Sequence, residues 1–180
     1  MNLTDMKVNK LSAELAAIAR YDIKQFGAID ILVNNAATER VNIHPEETSL
    51  ESWNSVMNTN VNGVFLMCRE VGKVMIKQKK GKIINLASLC ANFVIKETHG
   101  GSYDVSKSAI VGLTRVLAAE WAKHNITVNA IAPGVYNTPA NYKYFTENKE
   151  YSLYTVSLIQ LYCNTFRQCL TNKNICHNLL

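Results

Sequence analysis

The chain has 180 residues, of which 48% are hydrophobic, and these numbers fit one domain built around a single core. Its net charge is +5 with only 18% charged residues, and its longest basic cluster, residues 77–82, lies where we expect a helix to end, which argues against a nucleic-acid partner. No apolar run reaches the ~18 residues that a membrane span needs, so we expect no membrane contact.

The five cysteines follow no disulfide or zinc-site spacing. They are odd in number, contain no Cys-x-x-Cys pair and follow no signal peptide, which is typical of reduced thiols in a cytoplasmic protein. Cys169, Cys176 and His177 fit no usual zinc pattern either, so we expect no metal site.

Helix and strand patterns alternate along the chain. An amphipathic helix ends near Gly27, and the apolar run over residues 29–33 predicts a strand that is buried on both faces. Ser49 has the residue type of an N-cap and precedes a long helix that we expect to reach about Lys77. The same patterns predict a strand over 82–87, a helix over 102–123 that is apolar almost all round, and a strand over 126–132. This alternation predicts an α/β fold with a parallel sheet and flanking helices.

Tyr103 and Lys107 carry the most specific chemical signal. Four residues make about one helical turn, so the predicted helix places the phenol and the ammonium on one face. A neighbouring cation favours the phenolate and lowers the pKa of a phenol, which suits proton transfer to or from an alcohol or carbonyl oxygen. Taken alone, the pair has a second interpretation as a solvated helix face, because Tyr-x-x-x-Lys also arises by chance.

Four further motifs accompany this pair. They are Asn34-Asn35-Ala36-Ala37, Asn58-Thr59-Asn60, Ser88 and Pro133-Gly134. Three of the four follow predicted strands, and the carboxyl ends of parallel strands meet at one edge of a sheet, where ligands bind. Structural alternatives remain for two of them: Asn34 as a cap of neighbouring backbone groups, and Pro133-Gly134 as a simple turn.

In this order, the motifs resemble those of the classical short-chain dehydrogenase/reductase family over about residues 2–140. The resemblance implies a partial Rossmann-like, doubly wound sheet and hydride transfer between a nicotinamide cofactor and a ketone or secondary alcohol. It implies that Tyr103 is the general acid/base, that Lys107 lowers the pKa of Tyr103 and binds the nicotinamide ribose, and that Ser88 hydrogen-bonds the substrate oxygen. Asn60 is assigned to a proton relay in preference to Asn58, because residues 61–65 match the family's continuation.

The resemblance also implies cofactor contacts, substrates and assembly. Residues expected to contact NAD or NADP are Asn2, Leu3, Asn35, Ala36, Ala37, Tyr103, Lys107, Pro133, Gly134 and Thr138. The expected substrates are small molecules of the sugar, polyol or 3-oxoacyl type, and the 15 positions from Ser88 to Tyr103 resemble the sugar and polyol branch. The chain is expected to form a homodimer or homotetramer whose subunits contact each other through the helices over 50–77 and 102–123.

The chain departs from the family pattern at both ends. The glycine-rich Thr-Gly-x-x-x-Gly-x-Gly turn that seats the pyrophosphate is missing, since the eight glycines begin at Gly27, and Ala37 stands where the family has glycine. The residue that selects NAD or NADP belongs to the same missing part, so both cofactors stay open. We expect residues 1–150 to form a truncated domain of this family and residues 151–180, which lack acidic residues and glycine, to form a divergent tail that is either helical or disordered. The alternative function is a catalytically inactive chain that acts, if at all, as a dimerisation partner.

Overall fold

The fold is a sheet of four strands whose parallel part alternates with helices along the chain. The structure is a computed structural model that describes Glu14, Ala17, Tyr21, residues 23–38, 42–94 and 101–134, and the backbone of residues 160–162. The strands are β1 (Ile31–Asn34), β2 (Gly81–Leu86), β3 (Ile126–Ala132) and β4 (Gln160–Tyr162). The helices are α1 (Leu50–Met57), α2 (Val64–Gln78) and α3 (Gly101–Trp121), with short 3-10 turns at Pro45–Glu47, Leu89–Ala91 and Ala122–His124.

The order of strands in the sheet is β1-β2-β3-β4. The first three strands are parallel, with Leu32 opposite Ile83 and Ile83 opposite Val128, and β4 pairs antiparallel with β3. A helix connects each parallel strand to the next, so the predicted α/β fold with a parallel sheet is confirmed. The rest of the predicted tail, 151–159 and 163–180, lies outside the described residues.

The core of the described residues lies on one face of the sheet. Leu32, Ile83 and Val128 point into it and pack with residues of α2 and α3, including Met75 and Ile110. Intervening residues of β1 point to the other face, where Ile31 is 58% and Val33 is 54% exposed. The expectation that this strand is buried on both faces is therefore wrong, because the long helices that the structure describes cover only one of them.

The long helix expected from Ser49 to Lys77 is interrupted. Ser49 caps α1 as predicted, since its Oγ accepts a hydrogen bond from the Ser52 N–H at 3.1 Å. Between α1 and α2, however, the chain forms a π-helical turn over Asn58–Gly63. Asparagine and glycine have low helix propensity, so leaving the α geometry costs little here, and such turns occur frequently at functional sites.

Residues with a left-handed backbone end the helical segments that precede the three parallel strands. Gly27 has φ +79° and donates its N–H to the Ile23 oxygen, which confirms the predicted helix end. Lys79 has φ 54° two residues before β2, and Asn125 has φ 60° directly before β3. At Lys79 and Asn125 the turn brings the chain from the helical segment into the next strand within two residues. No helix among the described residues is long and apolar enough to cross a bilayer.

Candidate active site

Lys107 is held at the carboxyl end of β2. Its Nζ donates to the backbone oxygen of Leu86, the last residue of that strand, at 2.8 Å. The residue is only 4% exposed, and burial lowers the pKa of its ammonium below the ordinary lysine value. Nζ lies 5.5 Å from the centre of the Tyr103 ring. The structure therefore brings together the phenol and the ammonium that the helical spacing predicts as a pair.

Ser88 lies at the same edge of the sheet. It follows β2 with an extended backbone, and its Oγ accepts the Cys90 N–H at 3.2 Å, which caps the short turn Leu89–Ala91. The next amide, that of Leu89, donates to the Pro133 oxygen at 2.9 Å. Ser88 and the Pro133-Gly134 turn are thus neighbours across the ends of β2 and β3. Since the bond to Cys90 uses the hydroxyl as an acceptor, the Ser88 proton can be donated elsewhere.

Asn60 lies inside the π-helical turn and is 1% exposed. Its Oδ1 accepts two bonds from Thr38, one from the backbone N–H at 2.8 Å and one from the hydroxyl at 3.2 Å. Its Nδ2 donates to Ser106 Oγ at 3.0 Å, and Ser106 Oγ donates to the backbone oxygen of Tyr103 at 2.7 Å. The side chain of Asn60 therefore joins the loop after β1 to the first turns of α3.

The neighbouring asparagines of the same turn have a different environment. Asn58 Oδ1 accepts a bond from Asn62 Nδ2 at 2.8 Å on the exposed side of the helix. Only Asn60 of these three is buried against the turn that carries Tyr103.

Asn34 has a structural position in the core. Its Nδ2 donates to Asn85 Oδ1 at 2.8 Å and to Cys68 Sγ at 3.2 Å, and Asn85 Nδ2 donates to Thr114 Oγ1 at 3.0 Å. These bonds run from side chain to side chain, whereas the sequence indicated a cap of backbone groups. Burial raises the pKa of the Cys68 thiol to about 12, an effect that the bond from Asn34 partly offsets. This network links β1 and β2 to both long helices.

The remaining residues of the predicted site are distributed along one edge. Asn35, Ala36 and Ala37 are exposed directly after β1, and Pro133 and Gly134 are half-buried directly after β3. Asn2, Leu3 and Thr138 lie outside the described residues. The structure thus places these residues after β1 and β3, at the edge of the sheet where the Lys107 ammonium bonds the end of β2.

Sequence reasoning assigned no role to Ser106 and Thr38, which hold Asn60 in place. One signal was available for Ser106, because a serine in an otherwise apolar helix, one residue before Lys107, needs a hydrogen-bond partner if it is buried. Thr38 has no comparable signal, since it stands among polar residues of a loop.

A family model described as enoyl-(acyl carrier protein) reductase matches residues 8–160 of the chain. The chain is 48% identical over 124 residues to 2-dehydro-3-deoxy-D-gluconate 5-dehydrogenase of Dickeya dadantii, an alignment that covers 66% of this chain and 46% of the relative. It is 40% identical over 132 residues to D-threitol dehydrogenase of Mycolicibacterium smegmatis, covering 73% of this chain and 50% of the relative. The chain spans about half the length of the curated relatives that it matches.

Solved structures of dehydrogenases are also similar to this chain. A gluconate 5-dehydrogenase from Burkholderia cenocepacia, in complex with NADP and tartrate, superposes with a TM-score of 0.71 at 29% identity, over 80% of this chain and 56% of that one. A putative short-chain alcohol dehydrogenase from Sinorhizobium meliloti gives a TM-score of 0.70 at 35% identity, over 79% of this chain and 55% of that one. The motifs, the fold and these similarities agree, and the chain belongs to the short-chain dehydrogenase/reductase family.

Proposed function

We propose that the chain is an NAD(P)-dependent oxidoreductase of the short-chain type that transfers hydride between the nicotinamide and a ketone or secondary alcohol. The observation that carries this proposal is the buried ammonium of Lys107, 5.5 Å from the Tyr103 ring centre and at the same sheet edge as Ser88. A buried ionisable group with a displaced pKa, at the carboxyl ends of parallel strands, is typical of an active site.

The described residues fit the nicotinamide end of a dinucleotide. An ammonium has three N–H donors, and the bond from Lys107 to Leu86 leaves donors for the hydroxyl groups of a ribose. The exposed segment Asn35-Ala36-Ala37 and the Pro133-Gly134 turn present small side chains, which allow a ligand to approach the backbone closely. When bound there, the nicotinamide supplies or accepts the hydride.

The side chains of this chain would handle the proton and the substrate oxygen. We assign Tyr103 as the group that gives the proton to the oxygen, and Lys107 as the cation that stabilises the resulting phenolate. Ser88 donates a second hydrogen bond to the same oxygen, where negative charge develops during reduction. These roles need the phenol, the ammonium and the hydroxyl around one substrate atom.

Asn60 has a supporting part in this proposal. Its side chain is buried and already bonded to Thr38 and Ser106, so it orients other groups and does not touch the substrate itself. Because the side chain of Asn60 is occupied, a proton relay at this residue would use the backbone of Asn58–Gly63. In this π-helical turn the backbone carbonyl groups do not follow the regular hydrogen-bond pattern of an α-helix.

For the substrate we propose a sugar acid or polyol. The support is that relatives are named for 2-dehydro-3-deoxy-D-gluconate, D-threitol and galactitol, while others are named for 3-oxoacyl-[acyl-carrier-protein]. NAD and NADP both stay open, since one similar structure holds NADP and another, a xylitol dehydrogenase, is NAD⁺-bound.

A homodimer or homotetramer in the cytoplasm is part of the same proposal. Phe65, Val105 and Val116 are exposed apolar residues on α2 and α3, which suits burial between subunits. Cys68 is a free thiol, in keeping with a reducing compartment.

A calorimetric titration of NADPH and NADH against the 180-residue chain tests the proposal. We expect saturable micromolar binding of one of them, weakened at least about tenfold by Lys107→Met, which keeps the side-chain length but removes the donors. Circular dichroism on the same samples shows whether each chain is folded. A folded chain that binds neither nucleotide would contradict the proposal and favour the inactive dimerisation partner.

A further inference from the structure

Three side chains connect the loop after β1 with the first turns of α3. Thr38 donates twice to Asn60 Oδ1, Asn60 Nδ2 donates to Ser106 Oγ, and Ser106 Oγ donates to the Tyr103 backbone oxygen. We call this chain of bonds the Thr38–Asn60–Ser106 bridge. It spans three separate segments of the fold, the loop, the π-helical turn and α3.

The directions of the bonds in the bridge follow from its chemistry. The backbone N–H of Thr38 can only donate, so the oxygen of the Asn60 amide must face it and the nitrogen must face Ser106. The Ser106 hydroxyl accepts that bond and gives its own proton to the carbonyl of Tyr103. The Ser106 hydroxyl therefore bonds two partners at once. Because Ser106 is 0% exposed, a water molecule could take the place of this hydroxyl only if the surrounding residues rearranged.

We propose that Ser106 is a positioning residue for Tyr103, an inference that rests on the proposed function. A serine in a helix commonly bonds a carbonyl three or four residues back, and that bond alone is local. The second bond, from Asn60, is different because it fixes this turn of α3 against a segment 46 residues earlier. Ser106 accepts from Asn60 and donates to the Tyr103 oxygen, so the bridge sets the place of the turn that carries Tyr103, whereas Lys107 is anchored separately by its bond to the Leu86 oxygen.

The consequence for catalysis is geometric. Proton transfer from a phenol requires the oxygen within hydrogen-bond reach of the substrate, and small displacements of a reacting group are costly. Without the Ser106 hydroxyl, Asn60 loses one of its two anchors and the Tyr103 carbonyl loses its side-chain donor. The phenol then occupies its productive position for a smaller fraction of the time, while cofactor contacts made elsewhere remain.

Ser106→Ala tests this role through its effect on kcat and KM. We expect kcat for ketone reduction with NADPH or NADH to fall about tenfold while the KM of the nucleotide changes by less than about twofold. Ser106→Thr keeps a hydroxyl and should recover most of the lost rate, although its added methyl group costs stability. Ser108→Ala is the matched control, because Ser108 lies in the same helix and its hydroxyl bonds the Asp104 oxygen at 3.0 Å and the Ala91 oxygen at 2.9 Å, so the change removes a helical serine hydroxyl and a long-range bond but no bond to Asn60. A merely structural serine would lower the melting temperature and leave kcat unchanged.

Amide hydrogen exchange tests the bridge without turnover. In the wild-type chain the Thr38 N–H is protected by Asn60 Oδ1, and in Ser106→Ala we expect it to exchange about tenfold faster, with no such change in Ser108→Ala. If Ser106→Ala does not fold, Ser106→Cys replaces it, since the thiol has nearly the same shape and forms much weaker hydrogen bonds.

The two readouts separate the inference from the proposed function. A folded Ser106→Ala or Ser106→Cys chain with the kcat of the wild type would overturn the positioning role, and unchanged exchange of the Thr38 amide would overturn the bridge. A wild-type chain that binds no nucleotide would contradict the proposed function, and the exchange experiment would still decide whether Ser106 holds Asn60.

Discussion

Lys107 is unfavourable for the stability of the fold, but its charge suits a role in the proposed active site. It is a buried cation whose pKa is lowered by burial, and its Nζ bonds a backbone oxygen of β2. Keeping a charged ammonium out of water is unfavourable, so a purely structural position would be filled better by an apolar side chain. A charge that is retained at such a place is consistent with the stabilisation of a phenolate on Tyr103.

The burial of Lys107 predicts a rise of stability with pH. Because the folded chain binds this proton less well than the unfolded chain, the free energy of unfolding increases between the lowered pKa of the folded state and the ordinary value of 10.5. We expect Lys107→Met to lose this increase. Urea unfolding of both chains over the alkaline range measures it, and parallel pH dependences of the two chains would contradict the interpretation.

Individual residues differed in how far the sequence could assign them. Tyr103 and Lys107 were predicted as a pair because helical spacing alone brings them together. Ser106 and Thr38 were not, since their contacts with Asn60 join positions 46 and 22 residues apart, and no local pattern reports such a distance.

The contact between α2 and the end of α3 depends on the absence of a side chain at Gly72. A Cβ built there would lie 2.5 Å from Cη2 and 2.9 Å from Cζ2 of Trp121. Gly112, in the middle of α3, is the opposite case, because a Cβ there has no neighbour within 4 Å. Substitution of Gly72 therefore changes both packing and helix propensity, whereas substitution of Gly112 changes helix propensity alone.

We expect Gly72→Ala to lower the free energy of unfolding by about 1–3 kcal/mol through the overlap with Trp121, despite the better helix propensity of alanine. Gly112→Ala, the control, should raise it by up to about 1 kcal/mol. Chemical denaturation of the two variants measures both effects. Equal changes in the two variants would show that Trp121 yields without cost.

Strands and helices could be predicted where local patterns determine them. β3 was predicted over 126–132 and is found at Ile126–Ala132, since its ends are set by the turn at Asn125 and by Pro133. The π-helical turn Asn58–Gly63 could not be predicted, because its buried residue, Asn60, accepts a bond from Thr38 and donates one to Ser106, and both partners lie outside this turn.

The sheet as described has one covered and one partly open face. β1 is an edge strand among the described residues, and two of its four residues, Ile31 and Val33, are more than half exposed. Exposed apolar edge strands favour association with other chains. The sequence predicted alternating helices and strands correctly, but the covering of each face depends on where distant helices pack, which periodicity does not reveal.

Ile31→Lys should reduce concentration-dependent association of the chain. The side chain is exposed, so the change should alter the free energy of unfolding by no more than about 0.5 kcal/mol, while a lysine on an edge strand disfavours pairing with another strand. Leu50→Lys, at an exposed leucine on α1, is the control and should leave association as it is. Light scattering over a range of concentrations compares the three chains, and an unchanged molecular mass of Ile31→Lys would contradict the prediction.

The kcat of Tyr103→Phe relative to the wild type tests the proposed chemistry most directly. The substitution removes only the hydroxyl, so nucleotide binding should persist while reduction of a sugar-acid or polyol ketone slows by at least about 100-fold. A folded Tyr103→Phe chain that binds the nucleotide and retains the kcat of the wild type would show that another group supplies the proton.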